Sequence, residues 1–345
     1  MSLLEVRELH VWFDLQEGRE LHAVQGVSFG LDAGERFGLV GESGCGKTTT
    51  ILGLMGLLPP TASVAGEVLV GGESILAGGE SSVRSHRWND IAMIFQGAMN
   101  ALNPVKKVLW QIVEPMELHG IADGTQARRM AGDLLEMVGI PASAGERYPH
   151  EFSGGMRQRA AIAMALACQP KILLADEPTT ALDVMVQAQI LELLVGLSND
   201  LGLALVLVTH DLPVVAQVCE RAAVMYAGEI VEEGPTEALY HAPRHPYTRL
   251  LFAATPDLYG DEAVVSIPGA PPRLDRAIEG CAFRPRCDSS LDRCESEHPE
   301  FRAMGAGHRA ACHLNDLPGE ERAAREGARR AGSAAPAATP GGGAP

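Results

Sequence analysis

The chain has 345 residues and 46% hydrophobic content, enough to bury one large core or two modest ones. Its 44 acidic residues outnumber 28 basic ones, and the formal net charge of −16 argues against broad binding to nucleic-acid backbones or adhesion to anionic lipid. No apolar run approaches the roughly 20 residues that cross a bilayer, and the opening MSLLEVRELH lacks the basic segment and apolar core of a secretory signal. A cytosolic chain is expected, reaching a membrane only through another protein.

Leu3 to Asp14 and His22 to Leu31 read as strands, with a turn at Gln16-Glu17-Gly18-Arg19. Trp12 and Phe13 at the end of the first strand suit either stacking on a nucleotide base or packing in a core. The apolar run Arg36 to Val40 then leads into GESGCGKT, Gly41 to Thr48, followed by the helical signal Thr49-Thr50-Ile51-Leu52. Strand, loop and helix stand in the context that the phosphate-loop pattern G-x-x-x-x-G-K-[ST] requires. Gly41, Gly44 and Gly46 let the backbone turn its N–H groups onto phosphate oxygens at a helix start. Lys47 is placed to reach the β and γ phosphates, and the Thr48 hydroxyl to ligate Mg²⁺.

Leu57-Leu58-Pro59-Pro60 ends that helix. Gly66 to Gly72 reads as a strand into a turn, and Ile91 to Phe95 as a strand closing on Gln96. Gln96 suits a Mg²⁺ ligand or a water-orienting amide, or a plain loop residue. From Gly97 to about Ala165 the spacing turns helical, at Trp110 to Glu114 and Ala127 to Val138. This insert ends in FSGGMRQR and an Ala-rich helix, Ala160 to Ala167; Ser153 is an N-cap type, and Gly154 and Gly155 expose the helix's first N–H groups, a second anion-seeking helix end. Lys171 to Asp176 is apolar on both faces, so it predicts a buried parallel strand whose end carries Asp176 for Mg²⁺ and Glu177 to polarise a water. Ala181-Leu182-Asp183 opens a helix to about Asp200, and Ala204 to Thr209 is a further buried strand ending on His210, a donor toward a γ-phosphate or water.

The ordered set resembles the nucleotide-binding subunit of an ATP-binding cassette (ABC) transporter over Leu3 to Gly234: GESGCGKT as Walker A, Gln96 as Q-loop, FSGGMRQR as signature, ILLADE as Walker B, Ala181 to Asp183 as D-loop and Thr209 to Asp211 with the switch histidine. Phe152 and Met156 depart from the Leu and Gln usually written there, but Ser153, Gly154 and Gly155 remain. The resemblance implies an α/β fold: a P-loop NTPase ABC cassette with a RecA-like core, an antiparallel β subdomain and a helical subdomain at about 97–165, all within 1–235. It implies an ATPase in which Gly41, Glu42, Ser43, Gly44, Cys45, Gly46, Lys47, Thr48 and Thr49 hold ATP and Thr48, Gln96 and Asp176 hold Mg²⁺. Lys47, Gln96, Glu177 and His210 would carry catalysis, and Phe13, in preference to Trp12, would stack on the base. In the head-to-tail dimer so implied, Ser153, Gly154, Gly155 and Asp183 cover the ATP of the opposite subunit.

HPYTRLL from His245, then IPGAPP from Ile267, then GCAFRPRC resemble the small C-terminal extension, 236–317, of the oligopeptide/dipeptide/nickel importer ATPases. That resemblance implies two transmembrane permeases, a second and paralogous ATPase subunit, an extracellular or periplasmic substrate-binding protein, no nucleic acid, and a peripheral place on the cytoplasmic face of the plasma (inner) membrane. Peptide is the expected cargo, with nickel, opine and glutathione as alternatives; a soluble ABC ATPase for iron–sulfur assembly or nucleic-acid work is the rival from another class. Cys281, Cys287, Cys294 and Cys312 are spaced C-x5-C-x6-C-x17-C, irregular enough to wrap an iron–sulfur cluster, whereas structural zinc favours tighter pairs; unligated thiols are the third option. The importer resemblance implies a 4Fe-4S cluster there. From about Pro318 the composition turns to Glu/Arg/Ala and then AAPAATPGGGAP, a tail expected to be disordered.

Overall fold

The computed structural model describes residues 2–15, 18–97, 101–254, 266–305, 307–319 and 321–322. The centre of the expected first turn, at Gln16 and Glu17, and most of the expected tail lie outside these. Strands β1 (Leu4–Asp14) and β2 (Glu20–Leu31) precede β3 (Arg36–Val40), which runs through the phosphate loop into α1 (Lys47–Leu54). Then come β4 (Ala62–Val70), β5 (Glu73–Ser74), α2 (Gly79–His86) and β6 (Ile91–Ile94). A helical stretch follows, α3 (Val108–Leu118), α4 (Gly124–Met137) and α5 (Gly154–Ala165), before β7 (Ile172–Asp176), α6 (Val184–Leu201) and β8 (Ala204–Thr209). The chain continues through α7 (Leu212–Val218), β9 (Arg221–Tyr226), β10 (Glu229–Pro235), α8 (Thr236–His241) and α9 (Pro246–Ala253). It closes with β11 (Arg302–Gly305) and β12 (His308–Ala310).

Two sheets result. One is antiparallel, in the order β2-β1-β4-β5; the other has eight strands, ordered β11-β12-β10-β9-β3-β8-β7-β6. The strands β9, β3, β8, β7 and β6 are parallel to one another. Every residue of β7 and β8 is buried, as a run apolar on both faces requires. The two-residue period divides those side chains between two cores. Val40, Leu173, Ala175, Leu205 and Leu207 face one packed with helical residues such as Ile112, Leu135, Ile162 and Ile190. Phe37, Leu39, Leu174, Val206 and Val208 face another, shared with Leu4, Val6, Leu9 and Val27 of the antiparallel sheet. A slip of one residue would exchange the two sets, so register is tightly specified.

The parallel strands bring their carboxyl ends together, which is where ligands gather in such sheets. The C-terminal region is more than an appendage: β12 pairs antiparallel with β10, Glu232 opposite Ala310, so the central sheet runs on into it. Among the described residues no helix is long and apolar enough to cross a membrane.

Candidate active site

The phosphate loop is shaped by three glycines with positive φ, Gly41 at 154°, Gly44 at 81° and Gly46 at 106°. A Cβ on Gly41 would lie 2.3 Å from the Met225 carbonyl, and one on Gly46 would lie 2.6 Å from that of Ala23; the space beside Gly44 is open. The Lys47 side chain is folded along the loop, its Nζ donating to the carbonyls of Gly41 at 2.7 Å and Glu42 at 2.9 Å. Below it, the Thr48 hydroxyl donates to Asp176 Oδ1 at 3.2 Å. Burial pushes the Asp176 carboxyl above its ordinary range, only partly offset by Thr48. A divalent cation between this hydroxyl and this carboxylate would remove that penalty, so the donor set fits Mg²⁺.

Glu177 follows directly, in the left-handed region with φ 43°. A non-glycine residue there stores strain of the sort that clusters at functional sites. Three segments hold its carboxylate. Gln96 Nε2 donates to Oε2 at 2.8 Å, Thr180 Oγ1 to the same oxygen at 3.0 Å, and His210 Nδ1 lies 3.0 Å from Oε1. Burial alone would raise the Glu177 pKa; the hydrogen bonds from His210, Thr180 and Gln96 outweigh it and hold the carboxyl below its ordinary value. The adjacent acids are therefore driven apart, Asp176 upward and Glu177 downward.

A cleft of ≈ 380 Å³ joins these parts, lined by Ser43, Gly44, Gly46, Lys47, Thr48, Thr49, Gln96 and Glu177, and further along by Phe13, Leu21, Ala23, Pro272 and Leu274. Phe13 lines this cleft. Trp12, one residue earlier on a pleated strand, instead stacks on His10 and His22 with centroids at 5.3 and 4.7 Å. Glu42 and Cys45 do not line it: the Glu42 carboxylate is turned to Arg286, and Cys45 is buried. Asp176 sits beneath the cleft floor, 1% exposed.

Ser153, Gly154, Gly155 and Asp183 are not among the cleft residues. They stand at the starts of α5 and α6, which pack against each other. Ser153 caps α5, its Oγ accepting from the Met156 N–H at 3.3 Å, while Asp183 caps α6, and a Cβ on Gly155 would meet Val186 at 2.8 Å. The starts of α5 and α6 thus form one surface.

The four C-terminal cysteines lie near one another, with the Cys281 N–H donating to the Cys294 carbonyl at 2.9 Å. Burial pushes the Cys287 and Cys312 thiols up to about 12, and Cys281 in the same direction. Thiols so disposed resist the deprotonation that ligation needs. Among the described residues no three His, Cys, Asp or Glu side chains converge as a metal site. A metal bound here would have to displace those thiol protons.

Thr180, Tyr247, Arg286, Pro272 and Leu274 complete the surroundings without standing out in the sequence as site residues. Tyr247, Arg286 and Pro272 fall within the HPYT, RPRC and GAPP segments that carry the importer resemblance, and Leu274 lies two residues past the last of these, which is the signal that could have pointed to them.

Comparison with known proteins places this geometry. Residues 24–180 match the ABC transporter family model, and residues 231–294 match the oligopeptide/dipeptide transporter C-terminal region. The chain is 46% identical over 316 residues to a probable peptide ABC transporter ATP-binding protein, y4tR, of Sinorhizobium fredii, covering 90% of this chain and 94% of that protein. It is 45% identical to the dipeptide transport ATP-binding protein DppD of Escherichia coli, covering 91% and 97%, and 46% identical to the oligopeptide transport protein OppD of Bacillus subtilis, covering 87% and 86%. Among solved structures, the dimeric bacterial ABC transporter cassette MJ0796 matches with a TM-score of 0.60 at 30% identity, over 68% of this chain and 98% of that one. The chain therefore belongs to the ATP-binding subunits of ABC transporters, in the group that carries the oligopeptide/dipeptide transporter C-terminal region.

Proposed function

We propose that this chain is the ATP-hydrolysing subunit of a membrane importer for di- and oligopeptides. One observation supports the chemistry above all: Glu177, its carboxylate held by Gln96, Thr180 and His210, borders the same cleft as Lys47 and Thr48. Glu177 orients a water and accepts its proton as the water's oxygen attacks the γ-phosphorus. The bond from phosphorus to the β–γ bridging oxygen breaks, leaving ADP and phosphate. Lys47 and the loop amides offset charge on the transferring group, and Phe13 stacks on the base. Thr48, Asp176 and Gln96 would hold Mg²⁺, which would supply further neutralisation of the phosphates. Gln96 also ties the water-orienting acid to the start of the helical insert, where two permeases would dock.

The capping surface of Ser153, Gly154, Gly155 and Asp183 stands apart from its own chain's cleft, which supports a head-to-tail pair in which each subunit covers the ATP of the other. The second subunit is read as a paralogue, and an extracellular or periplasmic binding protein delivers the cargo. The chain then works at the cytoplasmic face of the membrane, with 1–235 as the ATPase domain, about 97–165 as its helical part and 236–317 as an extension. A 4Fe-4S cluster or zinc on Cys281, Cys287, Cys294 and Cys312 is a separate proposal, supported by spacing and by the thiols' proximity; iron, sulfide and zinc analysis of protein purified without oxygen tests it.

The decisive experiment reconstitutes the chain with its permeases, companion ATPase and binding protein in proteoliposomes. Peptide-loaded binding protein is expected to stimulate ATP hydrolysis and drive peptide uptake, both lost in Lys47→Ala. Stimulation by nickel, an opine or glutathione in place of peptide would reassign the cargo, and absence of any hydrolysis would overturn the motor reading itself.

A further inference from the structure

The phosphate loop is gripped from behind by residues far along the chain. Arg286, its side chain 4% exposed, forms a fork onto Glu42, Nη1 to Oε2 at 2.6 Å and Nη2 to Oε1 at 2.9 Å. Its Nε donates to the Pro268 carbonyl at 2.8 Å. Tyr247, wholly buried, accepts the Glu42 backbone N–H on its hydroxyl at 2.9 Å. Phe283 packs edge-on against Tyr226 and tilted against Tyr247, fixing the platform beneath the arginine. At the apolar end of the cleft, Pro272 and Leu274 stand in the wall with Phe13, Leu21 and Ala23. The Leu274 carbonyl accepts the His22 N–H at 3.2 Å, which fastens this wall to β2.

These contacts have an electrostatic logic. Glu42 is the second residue of a loop that must receive a polyanion, and an unpaired carboxylate there would repel it. The guanidinium neutralises that charge and holds the loop in one geometry, so less ordering remains to be done when phosphate arrives.

We propose that the C-terminal segment is a working part of the nucleotide site of its own chain, Arg286 positioning the phosphate loop through Glu42 while Pro272 and Leu274 wall the base end. This rests on the reading of the cleft as an ATP site. Its two arms separate by ligand, because Arg286 acts on the phosphates and Leu274 on the base.

The test is calorimetric titration of the full chain with Mg-ATP and with inorganic tripolyphosphate. Arg286→Ala is expected to weaken both ligands by about tenfold, and adding Glu42→Gln to that variant to restore most of the loss, since the unpaired carboxylate is gone. Leu274→Ala is expected to weaken ATP by about fivefold and leave tripolyphosphate unchanged. Should Arg286→Ala not fold, Arg286→Gln keeps part of the side chain's bulk without its charge and takes its place. Unchanged binding in the arginine variants, failure of Glu42→Gln to restore it, or equal effects of Leu274→Ala on both ligands would overturn the proposal. Lys47→Ala distinguishes the two levels: if it binds ATP as the unaltered chain does, the ATP reading itself fails, whereas loss in Lys47→Ala alone leaves that reading intact and removes only the role of the C-terminal segment.

Discussion

Gln96 and Glu177 lie 81 residues apart in sequence, yet the Gln96 amide donates to the Glu177 carboxylate at 2.8 Å. Pairing of β6 with β7, Ile94 opposite Ala175, brings the two strand ends side by side. The Glu177 carboxylate is thereby tied to the second residue after β6, where the chain leaves for the helical stretch. A displacement of the chain at Gln96 would therefore act directly on the acid proposed as the base.

Glu177→Gln keeps the shape of this centre and removes the base. Mg-ATP binding is expected to persist while turnover falls by roughly 10²–10⁴-fold, the usual worth of a positioned general base. Equilibrium titration and steady-state phosphate release check the two halves separately. Hydrolysis near the unaltered rate would take the role of base away from Glu177.

His210→Ala removes the strongest of the donors that hold the Glu177 carboxyl low. Glu177 must be ionised to accept a proton, so the acidic limb of kcat/KM reports its pKa. Losing the donor raises that pKa, and the limb moves to higher pH, with activity lost at the acidic end before the neutral one. A pH series of single-site kinetics reads this, and a limb that stays in place would mean His210 acts elsewhere.

Much of this centre is legible in sequence because it rests on local patterns. Strands apolar on both faces announce a buried parallel sheet, and the residues that end them, Gln96, Asp176 and His210, inherit their place from that fact alone. The cap at Ser153 is equally local, although α5 begins at Gly154, well before the Ala-rich run that first signals it. Other features leave no such trace. Helix α2 lies in a Gly- and Ser-rich run where Val83 is its one buried residue among those described, too little to make a period. Choosing Phe13 over Trp12 depends on register, and β1 shifts its register against β2 between Val11 and Trp12. The pairing of Glu42 with Arg286 spans 244 residues, and the three-residue β12 acquires meaning only beside β10.

Gly46→Ala and Gly44→Ala separate collision from strain in the phosphate loop. Both glycines have positive φ, but only at Gly46 would the new Cβ strike backbone, the Ala23 carbonyl at 2.6 Å. Gly44→Ala is expected to cost about 1 kcal/mol, the penalty of the left-handed region, and Gly46→Ala roughly 3 kcal/mol or more. Denaturant unfolding of the two variants measures the difference, and equal losses would show that the close approach at Gly46 relaxes at little cost.

The last prediction concerns His245, at the start of α9 and 2% exposed. Its Nδ1 accepts the Tyr247 N–H at 3.0 Å, so the ring is held neutral there, and the His245 backbone N–H donates to buried Glu232 at 2.9 Å. Burial pulls its pKa down to about 4, against an opposing push from Glu232. The unfolded chain protonates this histidine near pH 6.5, so the folded state is the poorer proton acceptor between the two values. A depressed pKa gives stability that is present above about 6.5 and lost as pH falls toward 4, in total about 3 kcal/mol for this group. His245→Asn offers an oxygen in place of Nδ1 but cannot titrate. It is expected to be less stable than the unaltered chain at pH 7.5, with the gap narrowing steadily toward pH 5. Urea unfolding at a series of pH values follows that gap, and a constant difference would show that burial of the neutral ring is not what makes this region acid-sensitive.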